Sequence, residues 1–193
     1  MPFLIKPVLS PGTLARVPQP VIPTGDGLLL RPWRAEDAPA LHEIFQDPLI
    51  HRWHTRAAHS EEEAGGWIDE WVAAWTEERT AQWAVADAAT DRLMGRVGLN
   101  GIALDDGVTE VAYWTAPAAR GQGVAARATT ALARWALDET GFHRLELTHA
   151  VANTASCRVA TKTGFALEGT KRSAGLHTDG WHDMHLHARV RGD

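Results

Sequence analysis

The stretch Tyr113-Trp-Thr-Ala-Pro-Ala-Ala-Arg120-Gly-Gln-Gly-Val-Ala-Ala126 decides the fold. A strand pattern runs into a turn carrying two glycines, and a helical pattern opens directly behind it. The first backbone N–H groups of a helix lack partners and the helix dipole is positive there, so such a junction is an anion site. Gly121 and Gly123 keep side chains away from a phosphate, and Arg120 adds charge. The small residues Val124, Ala125 and Ala126 leave the approach open. This is not a Walker loop, because G-x-x-x-x-G-K-[ST] is absent. Nor is it a dinucleotide fingerprint: the third glycine is missing, and the preceding strands run in hairpin order. By itself the segment fits a plain structural turn equally well.

Upstream, Gln82-Trp-Ala-Val-Ala86, residues 92–102 and residues 108–116 read as three antiparallel strands, with turns at 87–91 and 105–107. Before them, Ser60-Glu-Glu-Glu63 reads as a capping box. The helix it opens carries Trp67, Trp71 and Trp75 four apart, with Ile68 and Val72 beside them, a core-facing pattern. Residues 35–46 form another helix, with Ala38, Leu41, Ile44 and Phe45 in phase and Asp47-Pro48 as its stop. Leu28-Leu-Leu-Arg-Pro-Trp33 is a short strand behind the Gly25-Asp26-Gly27 turn. Downstream, a long helix from about 122 to 140 is stopped by Gly141. A strand over 142–151 and a helix over 153–163, ended by Gly164, come next. Two final strands within 165–190 are joined around His177-Thr-Asp-Gly180. This order makes one α/β (α+β) domain over residues 26–193.

Six of the ten prolines fall before residue 24, so residues 1–25 read as a Pro-rich arm that either lies along the domain or stays loose. Phe3, Leu4, Ile5 and Val8 are its candidates for packing onto a groove or a neighbouring subunit. The 193 residues carry 19 Lys+Arg against 24 Asp+Glu, a net charge of −5, which argues against nucleic-acid partners. The single cysteine, Cys157, excludes an intramolecular disulfide framework and cysteine-based structural zinc. No apolar run approaches the roughly 18 residues of a membrane span. The opening apolar stretch breaks at Lys6-Pro7, unlike a signal peptide, so a cytoplasmic location is expected.

Arg120-Gly-Gln-Gly-Val-Ala125 resembles the [QR]-x-x-G-x-[GA] motif of the GNAT superfamily of acyl-CoA-dependent N-acyltransferases. A second match lies at the fitting distance. The segment Asn153-Thr-Ala-Ser156, followed by Gly164-Phe165, looks like the N-x-x-[AS]…G-F segment of the same superfamily. The N-x-x-S form, Leu167-Glu-Gly-Thr-Lys171 and Leu30-Arg-Pro-Trp-Arg-Ala-Glu-Asp37 are most similar to the branch that acetylates ribosomal-protein N-termini. The resemblance covers about residues 27–190. It implies a mixed, mostly antiparallel sheet of about seven strands with one splayed pair, flanked by about four helices. It further implies that the amides of Gln122, Gly123, Val124, Ala125 and Ala126, with Arg120 and Gly121 beside them, hold the CoA pyrophosphate. The backbone of Trp114 and Thr115 would pair with the pantetheine arm, and Asn153 would hydrogen-bond it. Asn153 also reads as an ordinary helix cap.

Acyl transfer from a thioester requires a deprotonated amine and a proton for the leaving thiolate. Many relatives supply that proton from a tyrosine four residues after the N-x-x-[AS] small residue, where this chain has Ala160. The only tyrosine, Tyr113, lies on the preceding strand, which leaves Ser156 as the candidate donor, or simply a first-turn capping hydroxyl. Cys157 reads as a buried or bystander thiol. Glu110 lies on the strand before the glycine turn, where relatives often carry a carboxylate. It is the candidate base, acting through water or by orienting the amine; its alternative is an ordinary paired or exposed Glu. By alternation Glu110, Ala112 and Trp114 share one face, Val111 and Tyr113 the other. Trp53 and His54 fall between the first two helices, where relatives contact the acceptor. Among His182, His185 and His187, the last two share a strand face without a nearby carboxylate in phase, so solvent-facing histidines and no metal are expected.

The expected function is transfer of an acetyl group from acetyl-CoA to a primary amine, a peptide N-terminal α-amine or a small amine, by direct attack in a ternary complex. An α-amine, with its ordinary pKa near 7.7–8.0, needs less help from a base than a lysine does. The alternatives are a non-catalytic acyl-CoA-binding module and a different acyl-CoA. No nucleic acid or membrane is expected as partner, and the chain is expected to be a monomer or homodimer.

Overall fold

The computed structural model describes residues 4–193. Its strands are β1 (Ile22–Pro23), β2 (Leu28–Pro32), β3 (Ala81–Asp87), β4 (Leu93–Ala103), β5 (Val108–Thr115), β6 (Arg144–Ala150), β7 (Ala166–His177) and β8 (Gly180–Val190). They form one sheet in the order β1-β2-β3-β4-β5-β6-β8-β7. The helices are α1 (Ala38–Ile44), α2 (Pro48–His51), α3 (Glu61–Thr76), α4 (Val124–Arg134) and α5 (Thr154–Lys162). This is the mixed, mostly antiparallel α/β architecture read from the sequence, with one more strand and one more helix. β1 is two residues long, too short to show alternation. Asp47-Pro48, read as a stop, also starts α2: Asp47 accepts from the amides of Leu49 and Ile50, and Pro48 sits at the first helical position, where no donor is needed.

The sheet is antiparallel except between β5 and β6. Those two pair only over Val108–Glu110 and Arg144–Glu146, then part for the rest of their lengths. The fork opens at Glu110 and Glu146, and β5 runs on alone to Thr115 ahead of the glycine turn. Register sorts the faces: Ala84, Arg96 and Trp114 are aligned across β3, β4 and β5, as are Trp83, Val97 and Tyr113 in the adjacent row. α1 and α3 bring Phe45 and Trp71 against the Arg96–Trp114 face. α4 and α5 serve the other face, where Trp135 meets Trp83 and Ser156 meets Tyr113.

The long helix stays α-helical only to Arg134. Residues Trp135–Thr140 open into a wider π turn, closed by Gly141 at φ +98°. The wider turn turns three successive residues, Trp135, Ala136 and Leu137, into the core. Trp67 and Trp75 are buried, and Trp71 packs partly buried against the core. Val72 is half exposed. Ser60 caps α3 through the Glu63 amide, but the Glu63 carboxylate reaches past Ser60 to the His59 N–H, one residue beyond the capping-box partner.

The proline-rich segment lies along the sheet and α3. Val8 and Leu9 donate their amides to the Asp105 and Leu104 carbonyls. Glu78, at φ +54°, accepts from the amides of Gly12, Leu14 and Ala15. The core tryptophans Trp75 and Trp83 donate their indole N–H groups to the Val17 and Pro20 carbonyls. Leu9 and Leu14 are the buried anchors, whereas Leu4 and Ile5 are exposed; Phe3 lies outside the described residues. No helix among the described residues is long and apolar enough to cross a membrane.

The motif Leu30-Arg-Pro-Trp-Arg-Ala-Glu-Asp37 has a structural explanation. Arg31, 2% exposed, grips Asp37 with two hydrogen bonds of 2.8 Å and Asp91 with a third of 2.7 Å. Asp37 also accepts from the Arg34 amide, fixing the turn that leads into α1.

Candidate active site

Gly121 (φ +77°) and Gly123 (φ +72°) both take the left-handed conformation that glycine tolerates best. A Cβ on either would meet nothing closer than 3.8 Å within this chain, so backbone shape and outside approach, not internal crowding, call for glycine. Gly123 occupies the cap position of α4, which therefore has no side-chain cap. Gln122 braces the turn by donating to the Ala118 carbonyl. Val124 and Ala126 are buried beneath it and Ala125 is half-buried. The turn forms one wall of a cleft of about 570 Å³, whose other lining includes Asp26, Arg127, Arg134 and Lys162.

Arg120 does not extend into this cleft. Its guanidinium holds the Asp47 carboxylate at 2.8 and 3.1 Å, tying the turn to the start of α2. That pairing holds the Asp47 carboxyl below its usual range. The cleft's positive charge comes instead from Arg127, bonded to Asp26, from Arg134, and from Lys162, which has no ion pair among the described residues. Residues 123, 127 and 134 follow one face of the helix, a spacing legible in the sequence but outside the two motifs.

Beyond the end of β6, Asn153 caps α5 by accepting from the Ser156 amide at 3.1 Å. Ser156 is buried, and its Oγ lies 2.7 Å from the hydroxyl of Tyr113. The chain's one tyrosine thus reaches the serine from β5, a partnership linear sequence does not reveal. Burial pushes the Tyr113 hydroxyl up to about 12, so it stays protonated and able to donate. Glu110 is half-buried on the opposite face, and its carboxylate makes no hydrogen bond among the described residues. Parallel register sets Glu146 beside it; Glu146 is itself paired with Arg144 at 2.9 Å.

Trp114 is a core side chain, buried edge-on against Phe45 at 5.5 Å and near Trp33 at 6.2 Å; Thr115 beside it is half-buried. Trp53 packs against the β7–β8 hairpin through His177 and His182, with Arg52 over its ring. His54, by contrast, lines a second cleft of about 590 Å³ with Phe45, Trp67, Trp71, Glu70, Gln82, Arg96 and Asn100. Burial is the main reason its imidazole is lowered to about 4, with Arg96, His177 and His51 adding repulsion. Arg96 stacks over Trp71 at 5.4 Å and donates to Gln82 at 2.7 Å, while Gln82 donates on to Asn100. Desolvation lowers Arg96 to about 10, still protonated at neutral pH, and it has no carboxylate partner among the described residues. Gln82 lies so flat over Gly98 that a Cβ there would sit 1.9 Å from its Oε1. Arg96 was missed because a lone arginine in a strand carries no motif.

One expectation fails on this side of the molecule. His187 is 2% exposed, not solvent-facing, because β8 lies between β6 and β7 and its inner face is covered. His182 and His185 are half-buried.

Residues 27–166 match the family model described as "Acetyltransferase (GNAT) domain". The chain is 31% identical over 100 residues to the ribosomal-protein-serine acetyltransferase of Escherichia coli K12, a match spanning 52% of this chain and 56% of that protein. Among solved structures it resembles RimL, a ribosomal alpha-N-protein acetyltransferase in complex with coenzyme A, at TM-score 0.82 and 22% identity. That alignment covers 89% of this chain and 98% of the other. It also resembles the microcin self-immunity acetyltransferase MccE in complex with acetyl-CoA and AMP, at TM-score 0.80 and 18% identity over 86% and 94% of the two chains. Glycine turn, forked strands and family match agree: the chain belongs to the GNAT family of acyl-CoA-dependent N-acetyltransferases.

Proposed function

We propose that this chain moves an acetyl group from acetyl-CoA to the primary amine of an acceptor, a protein or peptide N-terminus or a small amine, by direct attack in a ternary complex. The observation that carries this reading is that β5 alone links the parts required. It starts the fork at Glu110, carries Tyr113 to Ser156, and ends in the uncapped glycine turn beside a cationic cleft. We treat residues 1–25 as an arm of one domain spanning 26–193, and place the enzyme in the cytoplasm.

The pyrophosphate sits on the amides of Gln122 to Ala126, with Arg127, Arg134 and Lys162 supplying charge and Arg120 bracing the turn. The pantetheine arm follows the free edge of β5 at Trp114 and Thr115 and takes a hydrogen bond from Asn153. The acceptor enters from the face bearing Arg96 and His54, with Trp53 behind. Glu110 takes the amine proton through water, the nitrogen bonds to the thioester carbon, and the C–S bond breaks. Ser156 donates to the departing sulfur while Tyr113 donates to Ser156, so the thiolate leaves with a proton and the hydroxyl chain is refilled from solvent. An unpaired Arg96 favours acceptors that carry a carboxylate or carbonyl near the amine.

Free-thiol release from acetyl-CoA across a panel of peptides with free or blocked N-termini, and of small amines, tests this. Release only with primary amines, with intersecting initial-rate lines, is expected. Parallel lines would overturn direct attack, and silence across the whole panel would overturn the enzyme itself.

A further inference from the structure

On the face covered by α5, four metal-ligand side chains from three elements converge. His149 of β6, His185 and His187 of β8, and Cys157 in the first turn of α5 each bring a ligand atom within 4.8 Å of the others. Register fixes the three histidines: His149 faces His185 across the β6–β8 ladder, and His187 lies one pair along on the same side. The His149 and His187 rings stack at 5.2 Å, and His185 meets His149 edge-on at 5.3 Å.

The hydrogen bonds of the two buried rings leave them short of a proton. His149 Nδ1 is 2.8 Å from the Ala150 carbonyl oxygen, and His187 Nδ1 is 3.2 Å from the Phe165 carbonyl oxygen. A carbonyl oxygen only accepts, so each Nδ1 carries its ring's proton. In neutral rings both Nε2 atoms are then bare, yet they face one another at 3.2 Å. Two opposed lone pairs repel. Filling the gap with a proton would create an imidazolium between rings only 5% and 2% exposed, with no carboxylate in the cluster. His185 adds a buried Nδ1 that has no partner among the described residues.

A cation between the Nε2 atoms resolves all of this. We propose that His149, His185, His187 and Cys157 form a binding site for a divalent cation of the zinc type. Three imidazoles and one thiolate suit that borderline-soft ion, against the sequence expectation of no metal and no cysteine-bound zinc, because folding adds His149 and the lone Cys157 to the two histidines of β8. Tetrahedral Zn–N and Zn–S bonds of about 2.0–2.3 Å place neighbouring ligand atoms roughly 3.3–3.6 Å apart, close to the spacing of the histidine pair. The two Nδ1-to-carbonyl bonds orient the rings as outer-shell partners do in metal sites. Binding releases the Cys157 thiol proton to solvent and leaves a thiolate on the metal. The ion joins α5, and with it the neighbouring Ser156, to β6 and β8. The proposal stands apart from the acceptor chemistry above.

The test uses the whole chain, free of any histidine tag and stripped with a chelator. Titration with Zn²⁺ is expected to load one equivalent and raise the Tm. Co²⁺ is expected to give the visible bands of a tetrahedral centre and a thiolate-to-cobalt charge-transfer band. Cys157→Ser, at a half-buried position, removes the charge-transfer band and weakens Zn²⁺ binding at least tenfold; His185→Ala weakens it likewise. Absence of stoichiometric binding by the unaltered chain overturns the site. So does Zn²⁺ binding that neither substitution weakens.

Discussion

Arg31 and Arg96 belong to one cross-strand row, separated only by Ala84, yet their surroundings are opposite. Arg31 is enclosed at the corner of β2 and α1 with two carboxylates on it, and its guanidinium is held even more firmly protonated than usual. Arg96 lines the second cleft, stacked on Trp71 and lowered to about 10, with an amide as its hydrogen-bond partner. A buried cation whose partners are built in belongs to the scaffold. One whose charge is left unanswered beside an open cleft is a place for a ligand's negative end.

The largest expected effect lies at the paired corner. Asp37→Ala removes the buried one of Arg31's two carboxylates, leaves only the half-exposed Asp91, and should lower the unfolding free energy by about 3 kcal/mol in a denaturant titration. A loss under about 1 kcal/mol would remove the contrast between the two arginines. At the open cleft, Arg96→Met strands no carboxylate and should change stability by less than about 1 kcal/mol. It should instead raise the acceptor KM about tenfold, about 1.4 kcal/mol, without moving the acetyl-CoA KM. An unchanged acceptor KM would return Arg96 to the scaffold.

The cleft also has a pH signature. His54 titrates near 4 in the folded chain and near 6.5 unfolded, so the unfolded chain binds more protons between those values. Its contribution to stability is complete above about pH 6.5 and is lost as pH falls toward 4. Because Arg96 is one source of the repulsion, Arg96→Met should flatten that slope, as read from denaturant midpoints at several pH values. The smallest effect belongs to a third kind of arginine. Arg120 is paired with Asp47 in a partly exposed bridge, so Arg120→Gln should cost under about 1 kcal/mol. It should also move the acetyl-CoA KM less than Lys162→Gln does, since Lys162 is the cleft cation without a bridge; initial-rate kinetics on the two variants decides it.

Much of the frame was legible because it is written in local periodicity. Alternation marked β3, β4 and β5, tryptophans four apart marked α3, and glycines at Gly121, Gly123, Gly141 and Gly164 marked where helices begin and end. Signals shorter than a period were lost: β1, the single turn α2, and the change to a π turn after Arg134. Asp47-Pro48 was ambiguous for a chemical reason, since the residue types that end one helix also begin another.

Sequence by itself determined the glycine turn, the Asn153 cap and the two-faced β5, because each depends on neighbours in the chain. Only the tertiary structure decided how charges and hydroxyls were partnered. Arg120 turned to Asp47, 73 residues away, and Tyr113 reached Ser156 across 43 residues. His187, unremarkable in its strand, met His149 across 38. Hydrogen bonds and ion pairs act over about 3 Å of space whatever the separation along the chain, so only folding assigns them.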